Sequence, residues 1–160
     1  MVRNQIDPIA RLMQEHDEAL VQLTALTKAT RAIASGGFSE EHYEKVVKAL
    51  RFIEEEVSVH NRSEEDALFP VLERYVEGPT ALMRREHREM RAEFRKLQTA
   101  VRKVRRTPRS PRAARELEDT ARGIVQRFVN HIHKENYILF PLVQKFLTKD
   151  ALREVARRMV

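Results

Sequence analysis

Cysteine is absent from this chain, and glycine occurs only 4 times in 160 residues. The missing cysteine excludes a disulfide framework, an iron–sulfur cluster and any thiolate metal site. Scarce glycine, in a chain rich in Ala, Leu, Glu, Arg and Lys, favours helix over sheet. Long apolar runs are missing too. The opening stretch MVRNQIDPIARLMQEHD contains none, so neither a signal peptide nor a membrane span is expected. With no cysteine and no such segment, the expected location is cytoplasmic. Charge of one sign does not dominate: 30 Lys and Arg stand against 24 Asp and Glu, a net +6 that a solvated helical surface explains. What is present is 42% hydrophobic residues, enough at this length for one domain over 1–160 with a real core.

Helix-breaking residues cut the chain into four long segments and a tail. Asp7-Pro8 reads as an N-cap and first helical turn. Ser35-Gly36-Gly37 ends that helix, and Ser39 caps the second, which runs towards Pro70. Gly78-Pro79-Thr80 marks the next turn. The turn Thr107-Pro108-Arg109-Ser110-Pro111 precedes a fourth helix running towards Pro141. Pro70 and Pro141 are expected to kink or end their helices. Thr148 to Asp150 cap a short last helix, about 149–159, holding Leu152, Val155 and Met159. Short connections imply antiparallel neighbours, so the expected fold is all-α: an up-down-up-down four-helix bundle with a short C-terminal helix.

Each segment carries an apolar seam at steps of three and four. Helix one gives Ile9, Met13, His16, Leu20 and Leu23, and helix two gives Tyr43, Val46, Leu50, Ile53, Val57, His60, Glu64 and Ala67. Helix three gives Met83, His87, Met90, Phe94, Leu97, Val101 and Val104. Helix four gives Leu117, Ala121, Ile124, Phe128, His131, Glu135 and Ile138. Histidines and glutamates thus stand where apolar residues should be.

These polar intruders repeat. His60 and Glu64 run into Leu68-Phe69-Pro70. At an offset of 71 residues, His131 and Glu135 run into Leu139-Phe140-Pro141. His16 and His87 obey the same offset, so the bundle is two similar hairpins, about 7–70 and 79–141. Residues equidistant from a turn share a level in an antiparallel hairpin. His16 and His60 centre on residue 38, beside Gly36-Gly37, and His87 and His131 centre on residue 109. Glu64 and His87 centre just before Gly78. The six residues therefore meet in the core, roughly midway along the helices.

Glutamate four residues after histidine shares its helix face. Four imidazoles and two carboxylates suit two metal ions, with the carboxylates able to bridge. Iron, manganese and zinc all fit such a set. A metal-free polar network would bury charged groups at several kcal/mol each.

The pattern of His16, His60-Asn61-Arg62-Ser63-Glu64, His87 and His131-Ile132-His133-Lys134-Glu135, with two Leu-Phe-Pro runs, resembles the hemerythrin-like family of HHE cation-binding domains. The resemblance spans roughly residues 7 to 142. It implies a non-haem di-iron site with an oxo or hydroxo bridge, His16, His60, His87 and His131 as terminal ligands, and Glu64 and Glu135 bridging. It also implies reaction with, or binding of, dioxygen, nitric oxide or peroxide, in redox chemistry or sensing, with a redox protein as a further partner. Two alternatives are oxygen or iron binding without turnover, and a structural or interaction bundle holding zinc. Oxygen-carrying hemerythrins place a further histidine four residues after the one on helix three; here that position is Arg91. A four-histidine site should keep an additional open position, which favours chemistry over storage.

Other polar residues near the motif read as non-ligands. Glu65 and Asp66 should face outward, as should His133, and His42 lies far from the common level. Glu56 reads as a solvated charge, with a hydrogen bond to a ligand imidazole as the alternative. Tyr137 reads as packing. The basic stretch from Arg102 to Arg115 lacks the interleaved aromatics or known module of a nucleic-acid site and reads as solvated helix ends.

Overall fold

The computed structural model of the chain describes residues 7–159. α1 (Pro8–Gly36) opens where the Asp7 carboxylate accepts the Ile9 N–H, with Pro8 in the first turn, where a missing N–H costs nothing. It closes at Gly36; Gly37 then takes φ 90°, a left-handed conformation that a side chain would strain. The Ser39 hydroxyl accepts the His42 N–H and starts α2, residues 40–72. α3 (Thr80–Arg106) follows the turn at 73–79. Ser110 and Thr148 accept N–H groups in the same way to begin α4, residues 111–146, and α5 (Lys149–Arg158). No strand occurs among the described residues. α1 packs along α2 and α4, and α3 along α4, so the chain folds as the expected antiparallel four-helix bundle with a short C-terminal helix. The ends of the expected 1–160 domain, residues 1–6 and 160, lie outside the described residues. Among the described helices, none is long and apolar enough to cross a membrane.

Neither proline ends its helix, one of the two outcomes the sequence suggested. α2 continues to Leu72 and α4 to Phe146. Each helix instead widens into one π turn just before its proline, at Glu64–Leu68 and Glu135–Leu139. The Phe69 N–H reaches back five residues to the Glu64 carbonyl, and Phe140 does the same to Glu135. Proline offers no N–H and its ring collides with the carbonyl four residues back. A wider turn removes the collision at the cost of one inserted residue.

That insertion shifts the buried register. The periodicity puts Ile138 on the seam, yet it is 53% exposed, while Leu139 and Phe140 are buried. In α1 the buried row likewise passes through Leu12, leaving Met13 outside. A third π turn, Ile53–Val57, has no counterpart in α4, where residues 124–128 are regular α-helix.

Two apolar clusters fill the bundle. One joins Leu23, Leu26, Ile53, Leu97, Leu117 and Phe128, among others, towards the turns at 37–39 and 107–110. The other joins Ile9, Leu12, Phe69, Leu72, Met83, Phe140, Leu147 and Val155, so that α5 closes the opposite end. Between them lies a layer of buried His and Glu. The layer is not midway: His16 sits only eight residues into α1, ~12 Å from its start, because α1 and α3 begin close to the α5 end. The register shift is testable. Leu139→Ala should cost about 2–5 kcal/mol in urea unfolding and Ile138→Ala less than about 1 kcal/mol; the reverse ranking would mean an unbroken α-helical register.

Candidate metal centre

All six predicted residues meet in that layer. The Nε2 atoms of His16 and His60 lie 3.1 Å apart, and those of His87 and His131 are also 3.1 Å apart. The Glu135 Oε1 sits 3.0 Å from His16 Nε2 and 3.1 Å from His131 Nε2, spanning the two pairs. Glu64 makes a closer contact to His60 Nε2. Two sets of atoms lie close enough to hold a metal ion, His16, His60, Glu64 and Glu135 in one and His87, His131 and Glu135 in the other.

The opposite ring nitrogens explain why Nε2 points inward. His60 Nδ1 lies 3.2 Å from a Glu15 carboxylate oxygen, and His131 Nδ1 lies 3.0 Å from Glu86. His87 Nδ1 lies 2.7 Å from Glu65, and His16 Nδ1 lies 2.8 Å from the amide oxygen of Asn136. All four partners are acceptors, so each Nδ1 donates. A neutral imidazole that donates at Nδ1 keeps a lone pair at Nε2.

The supporting shell follows the 71-residue offset as well. Glu15 and Glu86 serve the histidine within their own hairpin. Glu65 and Asn136 reach across to the lone histidine of the other hairpin. The Leu-Phe-Pro phenylalanines cross over in the same sense. Phe69 stacks on His87 at 6.0 Å and Phe140 on His16 at 5.5 Å between ring centroids. The shell is symmetric except at one point, where a carboxylate, Glu65, is matched by an amide, Asn136.

Here the structure corrects the sequence reading. Glu65 does not face outward; the π turn rotates it onto the His87 ring. Glu56 is exposed and bonds no imidazole, and Glu15 holds the His60 ring instead. Glu15 and Glu86 were missed although the sequence marks them: each directly precedes its lone histidine, as Glu-His in both repeats.

The two central carboxylates are fully buried, and Glu64 Oε1, Glu64 Oε2 and Glu135 Oε2 have no hydrogen-bond partner. Glu64 touches His60 without hydrogen-bond geometry. Buried oxygens in this state are costly unless a cation or proton compensates them. Burial disfavours a charged His60, but the Glu64 carboxylate and a hydrogen bond to Glu15 outweigh it and raise its pKa to about 9. A proton there stands in part for a cation. Burial, with the neighbouring His87, pushes His131 down to about 4 against the pull of Glu64 and Glu86. Burial, aided by the His60 charge, also lowers His16. The arrangement is thus a cluster of inward-facing imidazole nitrogens and buried carboxylates with a proton held on His60.

A cavity of ≈ 30 Å³ adjoins the layer on the side of the larger core. Its wall includes His16, His60, His131 and Glu135, an apolar part with Ala19, Val57, Met90 and Phe128, and the polar side chains of Glu15, Glu18, Glu56 and Asn61. That space suits one or two waters or a diatomic molecule.

The remaining candidates lie elsewhere. His42 stands in the first turn of α2. His133 is exposed and stacks on the exposed Tyr137. Arg91 points its guanidinium towards Glu65, 3.9 Å away, and not into the layer. The basic stretch sits at the far end, ~30 Å from His16 along α1. Several of its charges are met within the chain: Arg105 pairs with Glu40, and Lys103 and Arg112 pair with Glu116.

The raised pKa of His60 depends on Glu64. In metal-free protein an NMR titration should find His60 protonated up to about pH 9, and Glu64→Gln should lower that midpoint. By linkage, this proton stabilises the fold fully below the ordinary histidine pKa of ~6.5. That contribution fades as pH rises through about 9. A His60 midpoint unmoved by Glu64→Gln would refute the electrostatic account.

Comparison with known proteins agrees with the geometry. No curated protein matches the chain. The chain does match the hemerythrin HHE cation-binding domain over residues 7–143, a span that contains every residue of the layer and its supporting shell. The protein belongs to the hemerythrin HHE cation-binding family.

Proposed function

We propose that the chain is one domain that holds two iron ions and uses them to bind or transform a small ligand, dioxygen, nitric oxide or peroxide, in redox chemistry or sensing. His16 and His60 would hold one ion, His87 and His131 the other, and Glu64 and Glu135 would bridge them, with an oxo or hydroxo group between. When bound, such a pair supplies a two-electron couple and coordination positions for a small molecule.

The observation that carries this reading is the facing lone pairs. Outward acceptors fix all four tautomers, so the Nε2 atoms oppose each other at 3.1 Å. Two neutral rings so placed repel unless a cation, or in the His16–His60 pair the proton on His60, lies between them, and the spacing suits imidazoles bound to one ion at ~2.0–2.1 Å. Three partnerless carboxylate oxygens add negative charge to the same volume.

The chain's own residues have separable roles. Glu15, Glu65, Glu86 and Asn136 orient the rings. Carboxylate partners also make an imidazole more basic, so the His87–His131 position, backed by Glu65 and Glu86, would be the more electron-rich of the two. Phe69 and Phe140 exclude water from below. The cavity gives a diatomic ligand room beside His16, His60 and His131, which supports chemistry on a small molecule over a purely structural metal. With no membrane-crossing helix and no cysteine, a cytoplasmic setting is part of the proposal, as is a redox protein that supplies electrons.

Elemental analysis of protein purified without added metal should find about two irons per chain, as dinuclear carboxylate sites in helical bundles hold. One zinc and no iron would overturn the reading in favour of a structural bundle. Glu64→Ala and Glu135→Ala should each lose iron and lower the Tm, because metal binding and folding are linked. His133→Ala should do neither. Full iron occupancy in both glutamate variants would refute the ligand assignment.

Metal must also displace the proton on His60. Below about pH 9 that group is protonated, so cobalt(II) affinity should rise from pH 6 towards pH 9. Calorimetry at pH 7 in buffers of different ionisation enthalpy should show about one proton released. Affinity independent of pH across that window would contradict the scheme.

A further inference from the structure

Asn61 follows His60 directly, and its repeat partner is Ile132. Both side chains line the cavity beside the metal layer, one from each hairpin. Asn61 is only 8% exposed, its amide has no hydrogen-bond partner among the described residues, and its amide atoms are not among the buried ones cut off from solvent. Its hydrogen-bonding capacity is therefore not spent within the chain and is open to whatever occupies the space it borders. Nothing in the local packing calls for it, since the equivalent site in α4 is filled by isoleucine.

Its surroundings say what the amide could meet. Asn61, Val57, Met90 and Phe128 line the cavity and also a surface groove that runs between α2 and α3. They form the wall between the two, so a molecule passing from the groove to the metal layer meets Asn61. The third π turn, Ile53–Val57, lies on this side of α2 and contributes Val57 to that wall. Repeat symmetry is therefore broken twice beside one cavity, once in the backbone and once in a side chain. Apart from the His and Glu of the layer, the other polar residues on the wall, Glu15, Glu18 and Glu56, are carboxylates that repel an anion. Asn61 is the neutral group there that can donate a hydrogen bond.

We infer that Asn61 is the hydrogen-bonding anchor of the ligand cavity: its amide N–H donates to the outer atom of a small ligand, two or three heavy atoms long, that accepts hydrogen bonds. The inference rests on the small-ligand reading above. It makes the cavity favour ligands that accept a hydrogen bond over apolar ones of equal size, and it gives the two hairpins unequal parts in ligand capture.

Azide titration of the oxidised, iron-loaded protein tests it. Asn61→Leu, which keeps the size, should weaken azide binding about tenfold, the worth of one well-made hydrogen bond. Iron content should stay at the wild-type level. The Tm should stay within a few degrees of wild type, because the amide makes no hydrogen bond within the chain. Asn61→Ile, which copies Ile132, should behave alike. An unchanged Tm and iron content together with lost affinity is a signature that a merely structural asparagine would not give. Equal azide affinity in wild type and both variants overturns the inference and leaves the small-ligand reading standing. Loss of iron from both variants also overturns it, since Asn61 would then support the metal layer. If the iron-loaded wild type binds no azide at all, the small-ligand reading itself fails and this inference falls with it.

Discussion

Four hydrogen bonds from imidazole Nδ1 atoms to outer oxygen acceptors determine the rest of the centre. They fix the tautomers, and the tautomers turn every Nε2 lone pair towards one volume. Without them the layer could relax into a neutral network of histidines donating to the buried carboxylates. With them, the interior carries lone pairs and carboxylate charge that only a cation, or a proton on His60, can offset. The bundle tolerates this because apolar clusters close both sides of the layer and keep water from satisfying the same groups. α5, with Ala151 and Val155, belongs to that enclosure, since it seals the apolar cluster beneath the phenylalanines.

Much of this was legible in the chain because it depends on local chemistry and simple geometry. Asp7, Ser39, Ser110 and Thr148 sit at helix starts for the reason their side chains suggest, and the 71-residue offset brought six residues to one level from turn positions alone. What escaped was whatever depended on the count of residues per turn. An unbroken period of 3.6 placed Ile138 inside and Glu65 outside, and both assignments failed at the π turns. The proline after each turn was visible, but read alone it suggested a kink or an end. The packing of both helices on either side of the turn, seen only in the fold, goes with widening in place of an end. Glu15 and Glu86 escaped for another reason: their partners lie 45 residues away, a distance that no local pattern spans.

The π turns link sequence motif to site. By adding one residue after Glu64 and Glu135, they let the glutamate face the layer, its successor turn onto a neighbouring ring, and the phenylalanine slide beneath that ring. Glu64 points to the centre, Glu65 to His87, and Phe69 packs under His87, all from one short stretch. A regular helix could not present those three side chains to the same small region. The Leu-Phe-Pro run is thus part of the construction of the site, although none of its atoms is a donor to metal.

The crossing of support between hairpins has a genetic corollary. Each hairpin holds its own paired histidine with an internal glutamate but depends on the other for the ring that stacks under, and the acceptor that steadies, its lone histidine. An isolated hairpin would be left with an unsupported histidine unless it met a second copy of itself. In such a pair both copies would be identical, so every contact would occur twice. Covalent fusion lifts that restriction. Once the halves are encoded separately, Glu65 can be matched by Asn136 and Asn61 by Ile132, and a centre built on twofold repetition can acquire a front and a back.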